Sequence, residues 1–158
     1  MKIAIGSDER THLTDMVTEE LKKRGYEVIL FGSLADNDSE VDWPLTSSKV
    51  AETVARGEAD EGIVCCWTGT GASIAANKVR GIRAALCHDA ETARGARVWN
   101  HANVLALSLR ATPEAIAKEI LDAWFSATPD QSEADNVEKV RRLDERYRAG
   151  AEVKGGAR

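Results

Sequence analysis

The sequence lacks most of the features that mark specialised protein classes. Three cysteines in 158 residues, two of them adjacent (Cys65 and Cys66), give neither a disulfide framework nor a C-x-x-C zinc knuckle, so a reducing compartment is expected. No window approaches the roughly 18 apolar residues of a membrane-spanning helix, and the opening Met1-Lys2-Ile3-Ala4-Ile5-Gly6-Ser7 turns polar too soon for a secretion signal. Basic residues are in deficit. The balance of 21 Lys plus Arg against 26 Asp plus Glu leaves a formal charge of −5, whereas nucleic acids and anionic membrane surfaces require a basic footprint. The expectation is a cytoplasmic protein whose partner is a small molecule, with no nucleic acid and no membrane involved. No internal repeat or low-complexity segment is present.

What the sequence does have is a regular alternation of short apolar runs with helical stretches. Lys2–Ser7 and Tyr26–Phe31 read as strands; between them Leu13, Met16, Val17 and Leu21 recur at helical spacing, and Gly25 stands where a C-cap belongs. A helix from about Pro44 to Arg56 carries Pro in its first turn, and is followed by a strand Gly62–Cys66 and a glycine-rich turn into a helix at Ala72–Lys78. Strands Ile82–Cys87 and Asn103–Ser108 flank a helix Ala90–Trp99, and Thr112-Pro113-Glu114 opens another that runs to about Ser126. This order predicts an α/β fold: a doubly wound five-stranded parallel sheet, Rossmann-like, with helices on both faces. A polar helix from Ala134 to Arg148 carries Val137, Val140, Leu143 and Tyr147 on one stripe and reads as a C-terminal helical arm that packs on a second subunit. Residues 1–149 are expected to form one domain, with 128–149 as the arm and 150–158 as a disordered tail.

Open α/β sheets bind ligands at the carboxyl ends of strands, where the strand order reverses. The first strand ends in Ser7-Asp8-Glu9-Arg10 and the third in Cys65-Cys66-Trp67-Thr68-Gly69-Thr70-Gly71-Ala72-Ser73. A strand order 2-1-3-4-5 makes these ends neighbours. The loop Thr68–Ser73 can cradle an anion, because small residues admit backbone N–H groups and the following helix directs its positive end there; strand-to-helix turns also use glycine for purely structural reasons. Three other motifs fail. A dinucleotide fingerprint would follow the first strand and have Gly where Ile74 stands; a P-loop needs Gly-Lys-Ser/Thr; a low-molecular-weight phosphatase loop needs Arg in the region of Ala72 and Ser73. Cys66, last in its strand, has its thiolate favoured by the helix start, which suits a base or a nucleophile, whereas Cys65 and Cys87 read as buried small hydrophobes.

The segment Gly62-Ile63-Val64-Cys65-Cys66-Trp67-Thr68-Gly69-Thr70-Gly71-Ala72-Ser73-Ile74-Ala75-Ala76-Asn77-Lys78, followed by Gly81-Ile82-Arg83-Ala84, resembles the signature of the ribose-5-phosphate isomerase B and galactose-6-phosphate isomerase family. The likeness runs from Lys2 to about Arg142 and includes Asp42-Trp43-Pro44, Asn100, Asn103-Val104-Leu105-Ala106 and Asp122-Ala123-Trp124. It implies an aldose–ketose isomerase that uses no metal and no cofactor and works through a cis-enediolate. It also implies a homodimer, which could pair into a tetramer, with both partners contributing to each site. By the same resemblance Cys66 matches the base, Thr68 its support, the N–H groups of Gly69, Thr70, Gly71, Ala72 and Ser73 the anion hole, and Asp8 a contact to sugar hydroxyls.

Departures from the family pattern restrict the substrate. The ring-opening histidine falls on Trp99, whose indole can donate a hydrogen bond but cannot exchange a proton near neutral pH. Glu9 stands where His is usual, Trp43 where Tyr is usual, and Ser132 and Asn136 where two phosphate-binding arginines belong. Thr128–Glu138 carries four acids and no base, a poor place for a dianion. Arg110 keeps a family arginine, with Arg10 and Arg97 as substitutes for the missing charge, and Trp43, Trp67 and Trp99 bring three indoles near the site. His101, two residues from Trp99, could inherit the acid–base role, as could His12; His88 reads as a loop residue. The expectation is an isomerase acting on a sugar or sugar phosphate other than ribose 5-phosphate as the typical member binds it. The rival is a non-catalytic sugar-binding or regulatory protein on the same fold, with a thiol redox protein using Cys65 and Cys66 a weaker third, since neighbouring strand residues point to opposite faces.

Overall fold

The computed structural model describes residues 1–148; the expected tail, 150–158, lies outside the described residues. Strands β1 (Lys2–Ser7), β2 (Glu27–Gly32), β3 (Glu61–Cys66), β4 (Ala84–Leu86) and β5 (Val104–Ser108) alternate with helices α1 (His12–Lys23), α2 (Trp43–Ala55), α3 (Thr70–Ala76), α4 (Ala90–Asn100) and α5 (Glu114–Ser126). A 3-10 turn, Gln131–Glu133, leads into α6 (Ala134–Arg148). All strand pairs are parallel, in the order β2-β1-β3-β5-β4.

That order corrects the expected one at the far edge. β5, not β4, lies beside β3. The burial explains the exchange: all five residues of β5 are buried, as an inner strand covered on both faces must be, while the three residues of β4 are only partly buried. β4 is also shorter than the Ile82–Cys87 run: Arg83 N donates to the side-chain Oδ1 of Asn103 at 2.8 Å instead of to a strand carbonyl, and the Arg83 guanidinium reaches the end of α4, where its Nη2 donates to His101 O at 2.8 Å. Since β1 and β3 remain neighbours, the reversal of strand order still falls between them.

Strand alternation divides the core into two layers. Ile3, Ile5, Ile63, Cys65, Leu105 and Leu107 face α1, α4 and α5, where they meet Val17, Leu21, Ile120, Leu121 and Trp124. Ala4, Val64, Cys66, Val104 and Ala106 face α2 and α3, where they meet Val50, Ala51, Ala72 and Ala76. The second layer is built of smaller residues, which brings α2 and α3 close to the sheet and sets the β3–α3 turn tightly over the strand ends. Local signals fix the helix starts. Thr11 and Thr14 form a reciprocal cap on α1, and the Asp42 carboxylate accepts from Leu45 N at 2.9 Å at the start of α2.

One ion pair is sealed inside the first layer. Trp124, fully buried, donates its Nε1–H to Glu61 Oε2 at 2.6 Å, Arg97 meets the other oxygen at 2.5 Å, and the guanidinium carbon lies 5.2 Å from the Trp124 ring centroid. The arm α6 turns its acids toward its own chain: Glu145 pairs with Arg80 at 3.0 Å, and Asp144 accepts from Gly81 N at 3.1 Å. Val140, Leu143 and Tyr147 are left exposed.

Candidate active site

Ser7 stands opposite Cys65 in the β1–β3 register, so Asp8, just past β1, and Cys66, last in β3, come out of the sheet side by side. A cleft of about 310 Å³ opens there. It is lined by Asp8, by Trp43 from the start of α2, and by Cys66, Trp67, Thr68, Thr70 and Gly71 from the β3–α3 turn.

The pleat of β3 separates the two adjacent thiols. Cys66 lies on the α2/α3 side with 5% of its surface exposed, and Cys65 lies in the opposite layer at 1%. Burial pushes the Cys65 thiol up to about 12 and does the same to Cys87, so neither supplies a thiolate near neutral pH. All three cysteines are free.

Asp8 is held by its backbone: Ser33 Oγ donates to Asp8 O at 2.7 Å, and Ser7 Oγ donates to Glu9 O at 2.7 Å. Its side-chain Oδ1 is buried with no hydrogen-bond partner. Burial raises the Asp8 carboxyl above its ordinary value, Glu9 and Asp42 add to the rise, and its own backbone N–H opposes it. A carboxyl in this state accepts a hydroxyl proton or holds one of its own.

The turn after Cys66 depends on Gly69, whose φ of +74° is left-handed and whose hypothetical Cβ would lie 2.5 Å from Leu86 Cδ1. α3 therefore begins at Thr70, two residues before the expected Ala72. The cradle is narrower than expected. Gly69 N already donates to Cys66 O and Ser73 N to Gly69 O, which leaves the first-turn amides of Thr70, Gly71 and Ala72 facing forward. Thr68 Oγ1 and Thr70 Oγ1 share a hydrogen bond of 2.7 Å.

Other candidates stand elsewhere within this chain. Trp99 and Asn100, at the end of α4, line a separate apolar groove with Ala85, Leu86 and Gly95. His101 closes α4 in a left-handed conformation, φ 47°, with its Nε2 2.9 Å from Asp130 O. His12 pairs with Glu114 at 3.0 Å and His88 with Asp89 at 3.3 Å, so the structure brings no histidine of this chain to the Cys66 cleft. Glu9 is exposed and does not line the cleft. Arg110 borders it through its backbone, whose N–H donates to Trp67 O at 3.0 Å. Arg10 is engaged by Asp15 at 2.8 Å. Arg97 is corrected as a substitute phosphate ligand: it is committed to Glu61, at the amino end of β3, the opposite end of the strand from Cys66. Ser132 and Asn136 serve the turn into α6, through Asp130 (2.8 Å) and Glu133 (2.7 Å). Sequence reasoning missed Ser108, whose Oγ donates to Trp67 O at 3.0 Å; its signal was a polar residue closing an otherwise apolar strand.

Among the described residues no group of three or more His, Cys, Asp or Glu is placed to hold a metal ion, and no helix is long and apolar enough to cross a membrane. A thiol, a carboxyl and first-turn amides converging at the switch point of a doubly wound sheet are the parts of an α/β enzyme that acts on a small polar molecule. The profile of the ribose/galactose isomerase family matches residues 3–143. Ribose-5-phosphate isomerase B of Escherichia coli strain K12 is 43% identical over 127 residues, 80% of this chain and 84% of that protein. The D-erythrulose-4-phosphate isomerase of Pectobacterium atrosepticum is 37% identical over 142 residues, 89% of this chain and 93% of that protein. The structure of Clostridium thermocellum ribose-5-phosphate isomerase B has a TM-score of 0.85 at 45% identity and covers 93% of this chain and 99% of its own. The chain belongs to the ribose/galactose isomerase family, and with it to the aldose–ketose isomerases.

Proposed function

We propose that the chain moves a proton between C1 and C2 of an open-chain sugar or sugar phosphate through a cis-enediolate, with Cys66 as the base. The observation that carries this reading is the meeting of the Cys66 thiol and the Asp8 carboxyl in one cleft, while the other two thiols are sealed in the core. The Cys66 thiolate takes the C–H proton beside the carbonyl, the electron pair passes into the enediolate, the hydroxyl proton passes from one enediolate oxygen to the other, and the same sulfur returns its proton to the adjacent carbon. The amides of Thr70, Gly71 and Ala72 meet the oxygen where charge develops, which is usually the largest electrostatic contribution in such chemistry. Thr68, hydrogen-bonded to Thr70, supports the base. Asp8 accepts a substrate hydroxyl at its unpartnered oxygen.

The substrate of this reading needs no ring opening. Trp99 occupies the position of the family's ring-opening histidine, and no Lys, Arg or His side chain lines the cleft. D-Erythrulose 4-phosphate, in the name of the Pectobacterium relative, is a compound of this kind: with O4 esterified, neither the ketose nor its aldose partner can close a five-membered ring. A homodimer in the cytoplasm completes the reading, with a tetramer as a further step of pairing. Trp99, Val140, Leu143 and Tyr147 are exposed apolar side chains that a second subunit would cover, and in this reading Trp99 and Asn100 of one subunit complete the Cys66 cleft of the other.

The test is exchange of the C2 proton of aldoses, or the C1 proton of ketoses, with deuterated water over tetroses, pentoses and hexoses with and without phosphate. Exchange is expected for a short open-chain member of the panel; none with any sugar, from a folded protein, overturns the enzyme reading. Trp99 favours one other reading, a sugar-binding protein that has lost the chemistry, and that reading predicts sugar affinity without exchange.

A further inference from the structure

Trp67 is 58% exposed although it directly follows a fully buried strand. A single exposed apolar side chain is ordinary on a protein surface, but Trp67 lines the Cys66 cleft together with a second exposed indole, Trp43. The Trp67 backbone is fixed. Trp67 O accepts from Ser108 Oγ and from Arg110 N, both at 3.0 Å, and Cys66 O accepts from Leu109 N at 3.0 Å and Gly69 N at 3.2 Å. β3 and β5 thus stay joined past Cys66 and Ser108, the last pair of their ladder. The indole hangs from a rigid strand end and changes place only by turning about its own side-chain bonds.

The cleft's other indole is seated as well. Trp43 lies over Gly71, where an added Cβ would come 3.0 Å from Trp43 Cε3. The space these walls share with the thiol, about 310 Å³, is at the bottom of the range for small-molecule sites, roughly 300–1,000 Å³. An indole wall presents a broad flat apolar surface, one N–H donor and no charge, so what it recognises is the C–H face of a polyhydroxy chain.

We infer, on the strength of the isomerase reading above, that Trp67 sets the chain length of the substrate: its indole, carried on a fixed backbone, stacks on the carbon chain of a short sugar and excludes longer ones. The test compares the unmodified enzyme with Trp67→Ala and Trp67→Phe on four-, five- and six-carbon aldose phosphates and their unphosphorylated counterparts, with KM and kcat separated. The unmodified enzyme is expected to rank four carbons first. Trp67→Ala is expected to raise KM for the four-carbon substrate about tenfold with little change in kcat, and to raise the six-to-four ratio of kcat/KM at least about tenfold. Trp67→Phe, which keeps a flat ring, is expected to hold the original order.

An unchanged ranking in a folded, active Trp67→Ala enzyme overturns the chain-length role and leaves the isomerase reading standing. No exchange by the unmodified enzyme on any sugar overturns both. A second measurement is independent of how Trp67→Ala folds: tryptophan emission is followed as erythrose 4-phosphate is titrated into the unmodified protein and into Trp67→Phe. Loss of most of the ligand-induced change in Trp67→Phe supports the stacking contact, and an identical change in both proteins overturns it.

Discussion

The indole of Trp99 lies on the glycine one turn back in its own helix: a Cβ on Gly95 would sit 2.7 Å from Trp99 Cζ3 and 2.9 Å from Cε3. Arg94 completes the seat, its guanidinium carbon 5.8 Å from the ring centroid. Residues four apart share a helix face, so the small residue at 95 and the large one at 99 are matched.

Substitution at the glycine separates folding from indole placement. Alanine is favoured over glycine in a helix by about 1 kcal/mol, so Gly95→Ala is expected to hold or slightly raise the melting temperature while turning the indole off its seat. Near-UV circular dichroism and tryptophan emission register the movement. Spectra identical to those of the unmodified protein contradict the contact.

The two adjacent cysteines are expected to behave as opposites. Removal of a general base costs about 10²–10⁴ in rate, so Cys66→Ala should lose deuterium exchange by at least that factor while retaining ligand binding. Cys65→Ala, on the other face of the strand, should keep the rate and lose stability by about 1 kcal/mol. Equal rates in the two variants would remove Cys66 from the mechanism.

Asp8 predicts a pH signature. Folding raises the affinity of its carboxyl for a proton, so the stability it contributes is complete below about pH 4 and is lost as pH rises through the raised value. Above that value the ionised carboxylate keeps a buried oxygen without a hydrogen-bond partner. Asp8→Asn should therefore melt higher than the unmodified protein at pH 7, and the gap should narrow as pH falls toward 4. Its turnover should fall. Thermal melts across this range decide the matter, and a gap that widens on acidification contradicts the assignment.

Glu61 and Arg97 are a sealed pair, and breaking such a pair from one side costs about 3–5 kcal/mol. Arg97→Met should lose that much in urea unfolding at pH 7. Burial already raises the Glu61 carboxyl while Arg97 and the Trp124 N–H oppose the rise; with Arg97 gone it protonates more readily. The deficit should thus shrink at pH 5, and a pH-independent deficit would point to lost packing instead.

Legibility in the sequence followed the physics of each element. α6 runs from Ala134 to Arg148, the bounds its apolar stripe and flanking signals indicate, because a helix with so few apolar residues has no competing period. The Ile82–Cys87 run is three residues longer than β4, because an apolar run does not reveal that the Arg83 N–H is taken by the side chain of Asn103. The β5–β4 exchange is a long-range choice, visible only as the more continuous apolar character of Val104–Ser108. At the site, Cys66 and the glycine turn could be read from residue types alone. The unpartnered oxygen of Asp8 and the capture of Arg97 by Glu61 could not, since each depends on what another strand or helix brings near.

The pleat that divides Cys65 from Cys66 also acts as a built-in protecting group. A small alkylating reagent applied to the native protein should add once, at Cys66, and reach Cys65 and Cys87 only when the sheet opens. The ratio of fast to slow thiols then becomes an internal gauge of whether β3 and its turn are intact, legible by mass alone in every variant that keeps the three cysteines.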